Sequence, residues 1–373
     1  MNLVTFIYIF RNRETDRVRN SLNSLAQQTQ KNFEVIFVDY GSDSNQKQEI
    51  ESLVKSFSFC RYVYNDTRGN PWNRSHAINT GIKLTSTPFI FTSDVDLIFH
   101  SSFVEKINAF ADLNKALFFT MCYLPEGFDL KEISGDLKFP LSKSDTCGQA
   151  LIPVNKLNEI NGYDEFYCFW GKEDNDIENR LRLSGVKTEF YDKEIFLFHQ
   201  WHPLFPASRK QFPAGWHVLL ADYFDFYKNV IRRNIQTAWG KLFTAGDRPA
   251  LKLFADQKIK YIEFNCSKEF ISAYIAEKFL IANPDDYVAI KFTDDKSGMH
   301  ENSRLGKFIK FLNRILKTAG IHSTMVSDFR YLYSTTYDVR DAVIYFVLSH
   351  RGMIKDYFLE YDEEKLTCII IKK

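Results

Sequence analysis

The amino-terminal part of this chain alternates apolar runs with stretches of helical periodicity. Leu3–Phe10 is a run suited to a buried strand, after which Val18, Leu22 and Leu25 recur at helical spacing through Gln28. Phe33–Val38 forms a second strand-like run ending at Asp39, then the turn-prone Gly41-Ser-Asp-Ser44 and a helical pattern through Ile50, Leu53 and Val54. Cys60–Tyr64 reads as a third strand, Ser75–Leu84 as a helix, and Pro88–Thr92 as a fourth strand running into Asp94-Val-Asp96. Such alternation predicts a mostly parallel sheet with right-handed crossovers. Ligands of such sheets bind at the carboxyl ends of the strands, where Asp39 and Asp94 both fall.

Length and composition set the remaining bounds. With 373 residues and 45% hydrophobic content, the chain can bury a large core and exceeds the usual size of one domain. The periodicity restarts beyond Ala238, with strands expected at Ile259–Phe264, Tyr287–Phe292, Ala342–Leu348 and Thr367–Ile371. The division expected is therefore a first domain over 1–238, a linker over 239–250 containing Gly240, Gly246 and Pro249, and a carboxyl-terminal α/β domain over 251–373.

A net charge of +1 provides no global attraction to nucleic acid, and no nucleic-acid partner is expected. Between Lys228 and Lys260, the basic residues Arg232, Arg233, Lys241, Arg248 and Lys252 permit weak contact with an anionic membrane, although a solvated helix face accounts for them as well. Six cysteines without a C-x-x-C pair read as reduced thiols. Met1–Phe10 is followed at once by charges and reads as a first strand, not a signal peptide. No run approaches the roughly 20 apolar residues of a spanning helix. The expected location is cytoplasmic, at most peripheral at the inner membrane face.

Three motifs carry candidate chemistry. Asp94-Val-Asp96 at a strand end would project two carboxylates to one side, suiting a divalent cation that bridges phosphate oxygens; taken alone, it reads better as a solvated acidic turn. Trp170-Gly-Lys-Glu-Asp-Asn-Asp176 opens a helix whose first turn would contain Glu173 and Asp174, where acids are favourable for capping alone. In Phe198-His-Gln-Trp-His202, either His199 or His202 could complete the coordination of a metal held by Asp96. The ordered combination of the three is much less expected by chance than any one of them.

Together these residues resemble the inverting family 2 glycosyltransferases of the GT-A fold over Thr5 to about Pro203, with a galactosyltransferase-like acceptor segment in Trp170-Gly-Lys-Glu-Asp174. The resemblance implies a Rossmann-like mixed sheet flanked by helices, a UDP-sugar donor, and a glycan or lipid-linked acceptor. It assigns Thr5, Asp39, Gly41 and Ser42 to the nucleotide, Arg74 and Asn79 to the diphosphate or sugar, and Asp94 to the ribose or a metal-bound water. It assigns Asp174 as catalytic base, Trp170 and Glu173 to the acceptor, and Asp96 with His199 to Mn²⁺ or Mg²⁺. Tyr40 departs from the family's frequent second Asp or Asn and offers a ring to stack on the base. A nucleotidyltransferase is the rival enzyme class, but Arg11-Asn-Arg13 lacks the glycines of its phosphate loop. A non-catalytic nucleotide- or carbohydrate-binding module is the rival outside enzymes, and it would have little need of Asp174 beside the Asp94/Asp96 pair.

Overall fold

The computed structural model describes residues 3–133, 137–142, 148–169, 171–203, 239–256, 259–265, 268–294 and 334–373. They divide into two compact units, with the boundary between Ala245 and Gly246.

The first unit is built on strands β1 (Val4–Phe10), β2 (Phe33–Asp39), β3 (Cys60–Tyr64), β4 (Phe89–Ser93), β6 (Lys115–Phe119), β8 (Ala150–Pro153) and β9 (Lys187–Tyr191). They form one sheet in the order β3-β2-β1-β4-β8-β6-β9. The β3–β4 half is parallel, whereas β8 runs antiparallel to both neighbours, so the sheet is mixed. A smaller sheet contains β5 (Leu97–Phe99), β10 (Leu197–His199) and β7 (Met121–Tyr123), with β10 in the centre. Helices α1 (Thr15–Ala26), α2 (Ser44–Lys55), α3 (Arg74–Leu84), α4 (Phe103–Phe110), α5 (Val154–Glu159) and α6 (Glu173–Leu183) complete this unit.

Every residue of β1 is buried, as the inner strand of a parallel sheet covered on both faces requires. Alternate side chains feed two cores. Phe6, Tyr8 and Phe10 join Phe37, Phe91, Phe99 and Phe103 on one face, while Ile7 and Ile9 meet Val38, Ile78, Ile82 and Ile152 on the other. The aromatic core packs edge-on, with Phe6 at 5.5 Å from Phe33 and from Phe99 and Phe91 at 5.0 Å from Phe103. Such pairs add about 0.5–1.5 kcal/mol each beyond burial of their area.

Residues 239–243 pack on this unit beside α3 and the loops at Asn65 and Glu165. The Phe243 N–H donates to Asn65 Oδ1 (2.9 Å), the Asp66 N–H donates to the Phe243 carbonyl (3.0 Å), and the Gly240 N–H donates to Glu165 Oε1 (2.6 Å). Lys83 Nζ lies 3.5 Å from the centre of the Trp239 ring. Gly240 is glycine of necessity: its φ is +71°, and a Cβ would come within 2.6 Å of the Asn79 carbonyl oxygen.

The second unit contains a sheet in the order β11 (Ile262–Phe264), β12 (Tyr287–Thr293), β14 (Lys365–Lys372) and β13 (Ile354–Tyr361), with helices α7 (Pro249–Ala255), α8 (Lys268–Ile281) and α9 (Thr336–Ser349). The expected strand at Ala342–Leu348 is instead part of α9. Its β-branched and aromatic content favours a strand locally, but a capping box between Thr335 and Asp338 starts a helix. Val339, Val343, Phe346 and Val347 then fall on its buried side. The β13–β14 hairpin turns at Asp362, whose Oδ1 accepts from the N–H groups of Glu364 (2.7 Å) and Lys365 (2.8 Å). Arg248, expected on a basic surface, is fully buried and donates to Asp356 Oδ1 at 3.0 Å. Lys228, Arg232 and Arg233 lie outside the described residues. No helix among the described residues is long and apolar enough to cross a membrane.

Candidate active site

Asp39, Gly41, Ser42, Arg74, Asp94 and Asp96 all lie at or just beyond the carboxyl ends of β2 and β4, or at the amino terminus of α3 beside them. Thr5 does not. In register, Phe10 pairs with Asp39 while Thr5 pairs with Glu34, so Thr5 sits near the opposite end of its strand. Its hydroxyl is buried and hydrogen-bonded to Glu34, Thr85 and Thr87. Thr5 therefore lies away from the edge at which a sheet of this kind presents its ligands.

At that edge the β2 turn is internally braced. Asp39 accepts from the Ser42 N–H (2.9 Å) and the Tyr62 hydroxyl (2.7 Å), and Ser42 Oγ accepts from the Asn12 N–H (3.1 Å). Burial raises the Asp39 carboxyl above the usual range, and these hydrogen bonds offset part of the rise. Gly41 holds φ +79°, and a Cβ there would come within 2.8 Å of the Arg68 nitrogen and Thr67 Oγ1. Tyr40 does not offer its ring to a ligand. The side chain is buried, its hydroxyl is 2.7 Å from His76 Nδ1, and its ring meets Trp72 edge-on. Arg11, which carried no sequence signal, donates to the Asn70 and Thr67 carbonyls (2.9 and 2.7 Å) and joins this turn to the β3–α3 loop.

The centre of the site is Arg74. Asn73 caps α3 by accepting from the His76 N–H (2.8 Å), which sets Arg74 at the first turn. The guanidinium lies 2.7 Å from Asp174 Oδ1, 3.5 Å from Asp94 Oδ1 and 3.8 Å from Glu173 Oε1, and donates to the Gly148 carbonyl at 3.1 Å. Burial opposes its charge, but the three carboxylates outweigh that and hold it protonated. Burial and the neighbouring Asp174 push the Glu173 carboxyl up to about 7, with Arg74 pulling the other way. Asp174 is raised too, by burial and by Asp94, again against Arg74.

The acids opening α6 are thus sorted by tertiary contacts. Asp176 makes a helix pair with Arg180 (2.8 Å) four residues on, whereas Glu173 and Asp174 turn to Arg74. The chain enters α6 through left-handed residues, Phe169 (φ 69°), Gly171 (φ 103°) and Lys172 (φ 75°). Trp170 lies outside the described residues. Asn79 is in this region but does not face the cluster. Its amide is buried, accepts from the Tyr163 N–H (2.7 Å), and donates to the Tyr163 carbonyl (2.8 Å) and Glu165 Oε1 (3.0 Å). It positions the 163–165 loop and has no capacity aimed at a diphosphate.

The two acids of Asp94-Val-Asp96 go to different partners. They lie beyond the end of β4, partly in a turn, so strand alternation does not place them side by side. Asp94 accepts from Gln149 Nε2 (2.7 Å) and faces Arg74, while Asp96 meets two histidines. His202 Nε2 is 3.2 Å from Asp96 Oδ2, and His199 Nε2 is 3.6 Å from Asp96 Oδ1. The ligand atoms of the three lie within 4.8 Å of one another. Burial would raise the Asp96 carboxyl, but the hydrogen bond from His202 and the charges of both imidazoles outweigh it and hold it below the ordinary range. Asp96 Oδ1 is buried without a hydrogen-bond partner. An orphaned carboxylate oxygen beside two imidazole nitrogens fits a divalent cation. The sequence pointed to His199 ahead of His202; the fold brings both.

At this sheet edge stand a D-x-D turn, a buried arginine, a carboxylate pair and a candidate metal trio. A model of glycosyl transferase family 2 matches residues 5–150, and one described as the N-terminal domain of galactosyltransferase matches residues 133–202. Residues 5–150 are thus similar to the family 2 glycosyltransferases, and the galactosyltransferase-like match continues the similarity to residue 202. Among solved structures it is similar to S. aureus TarS at 18% identity and a TM-score of 0.41, over 54% of this chain and 37% of that one. It is also similar to S. aureus TarS 1–349 (18% identity, TM-score 0.42, 53% of this chain, 60% of that one). The same protein in complex with UDP-GlcNAc matches at 17% identity and a TM-score of 0.42, over 55% of this chain and 60% of that one. The chain thus spans less than two thirds of the length of these structures.

Proposed function

We propose that the protein is a metal-dependent inverting glycosyltransferase that moves a hexose or N-acetylhexosamine from a UDP-sugar to a hydroxyl of a glycan or lipid-linked acceptor, in surface polysaccharide synthesis. The observation that carries this reading is the Arg74 hub, which draws the acids of α6 and the first acid of the D-x-D turn to one guanidinium.

In this mechanism the base of the nucleotide lies by the Asp39–Ser42 turn and the diphosphate by Arg74, whose planar fork suits phosphate oxygens. Asp174 accepts the proton of the acceptor hydroxyl as that oxygen attacks the anomeric carbon from the face opposite the diphosphate. The bond from the anomeric carbon to the diphosphate oxygen breaks with its electron pair, the nucleoside diphosphate leaves, and configuration inverts. Asp96, His199 and His202 would hold the cation, which supplies positive charge to the leaving diphosphate. Glu173 and Trp170 contact the acceptor. Asp94, held by Gln149 and Arg74, stays outside the cation's ligand set.

Calorimetric titration with UDP, with and without Mn²⁺, followed by donor hydrolysis and transfer assays with Asp174→Asn, tests this. Transfer should fall by at least about 10²-fold with UDP affinity within about twofold. Undiminished transfer in that variant refutes the assignment of the base, and UDP binding that is indifferent to Mn²⁺ and to Asp96→Ala refutes the metal site.

A further inference from the structure

We infer that Gln200, the residue after His199 and two before His202, is a positioning residue that holds the Asp96–His199–His202 trio in a shape able to take a divalent cation; this rests on the metal-dependent reading above. Asp96 lies in a turn, outside the strand ladder, so its backbone needs another anchor. Gln200 provides it twice, since its N–H and its side-chain Nε2 both donate to the Asp96 carbonyl at 3.1 Å. The same Nε2 donates to the Arg17 carbonyl (3.0 Å), and Oε1 accepts from Asn20 Nδ2 (2.9 Å). Arg17 and Asn20 belong to α1, so one buried amide ties the D-x-D turn, the end of β10 and α1 together.

The amide orientation follows from its neighbours. Two carbonyls face Nε2 and a donor faces Oε1, so a flipped amide would lose all three contacts. Satisfied in this way, Gln200 limits how His199 and His202, on either side of it in sequence, can shift relative to Asp96. Its side-chain amide is taken up by Asp96, Arg17 and Asn20, so its effect on metal binding passes through the three ligands.

The test uses Mn²⁺ alone as the probe, with its binding followed by loss of the free-ion EPR signal, on the full chain and on Gln200→Glu, Asn20→Ala and Asp96→Ala. Gln200→Glu keeps the shape but sets a carboxylate oxygen against two carbonyls, and Asn20→Ala removes one support while leaving the amide in place. The expected result is roughly 10- to 100-fold weaker Mn²⁺ binding in Gln200→Glu, as for other outer partners of metal ligands, and a smaller loss in Asn20→Ala at unchanged melting temperature. If wild type binds Mn²⁺, Asp96→Ala does not, and the Gln200 and Asn20 variants bind like wild type, the positioning role is overturned and the metal site stands. If Gln200→Glu does not fold, wild-type affinity in Asn20→Ala overturns the role by itself. If Asp96→Ala binds like wild type, or wild type does not bind, the metal site falls and this role with it.

Discussion

Replacing Arg74 by glutamine removes the only guanidinium shared by Asp94, Glu173 and Asp174 among the described contacts. At 2.7 Å and an effective dielectric constant of about 20, the contact with Asp174 alone represents about 6 kcal/mol of attraction. Desolvation offsets part of this, and breaking one side of such a buried pair typically costs about 3–5 kcal/mol. The loss should depend on pH in a defined direction. Arg74 lowers the carboxyls of both Glu173 and Asp174, so its removal raises both further. A carboxyl whose folded pKa exceeds its unfolded value loses stability as pH rises from the unfolded to the folded value. Wild-type Glu173 completes that loss near pH 7, whereas the variant continues to lose about 1.4 kcal/mol per unit beyond it. The deficit of Arg74→Gln should therefore be larger at pH 8.5 than at pH 5.5. Thermal unfolding of both proteins at the two pH values reads this directly, at about 2–4 °C per kcal/mol for a unit of this size. A deficit that is constant with pH, or larger at pH 5.5, would refute the placement of Arg74 between these carboxylates.

Two further substitutions separate scaffold from ligand contact. Asn79→Ala should lower stability by about 2–4 kcal/mol, because it strips partners from buried backbone groups of Tyr163, while UDP affinity stays within about twofold; a large selective loss of UDP binding at unchanged melting temperature would return Asn79 to the diphosphate. Gly41→Ala should cost about 1–3 kcal/mol in thermal unfolding, since φ is +79° and the added Cβ has backbone at 2.8 Å; an unchanged melting temperature would show that this turn relaxes freely.

Much of the first unit could be read from local pattern. The β1 to β4 runs, the helices between them and the helix opening at Glu173 all show in hydrophobic periodicity, because one buried face repeats every two or 3.6 residues. The segment Ala342–Leu348 shows where such local pattern stops deciding. Its residues favour a strand, and only the Thr335–Asp338 cap and the packing of α9 on its sheet make it helical.

The chemical identity of the site was also local: strand-end Asp94 and Asp96, the acids of α6 and the histidines around Gln200 are visible as motifs. Their pairing was not. Only the tertiary structure sends Asp94 to Arg74 and Gln149 while Asp96 goes to both His199 and His202, and only it turns Asn79 and Tyr40 inward. Thr5 is a different case, since the run Leu3–Phe10 already places it at the amino end of its strand, away from the carboxyl ends where such sheets bind ligands, and its register with Glu34 agrees. Periodicity reports which face of an element is buried. The partner of each polar group depends on contacts between residues 20 to 106 positions apart, and those exist only once the sheet has brought them together.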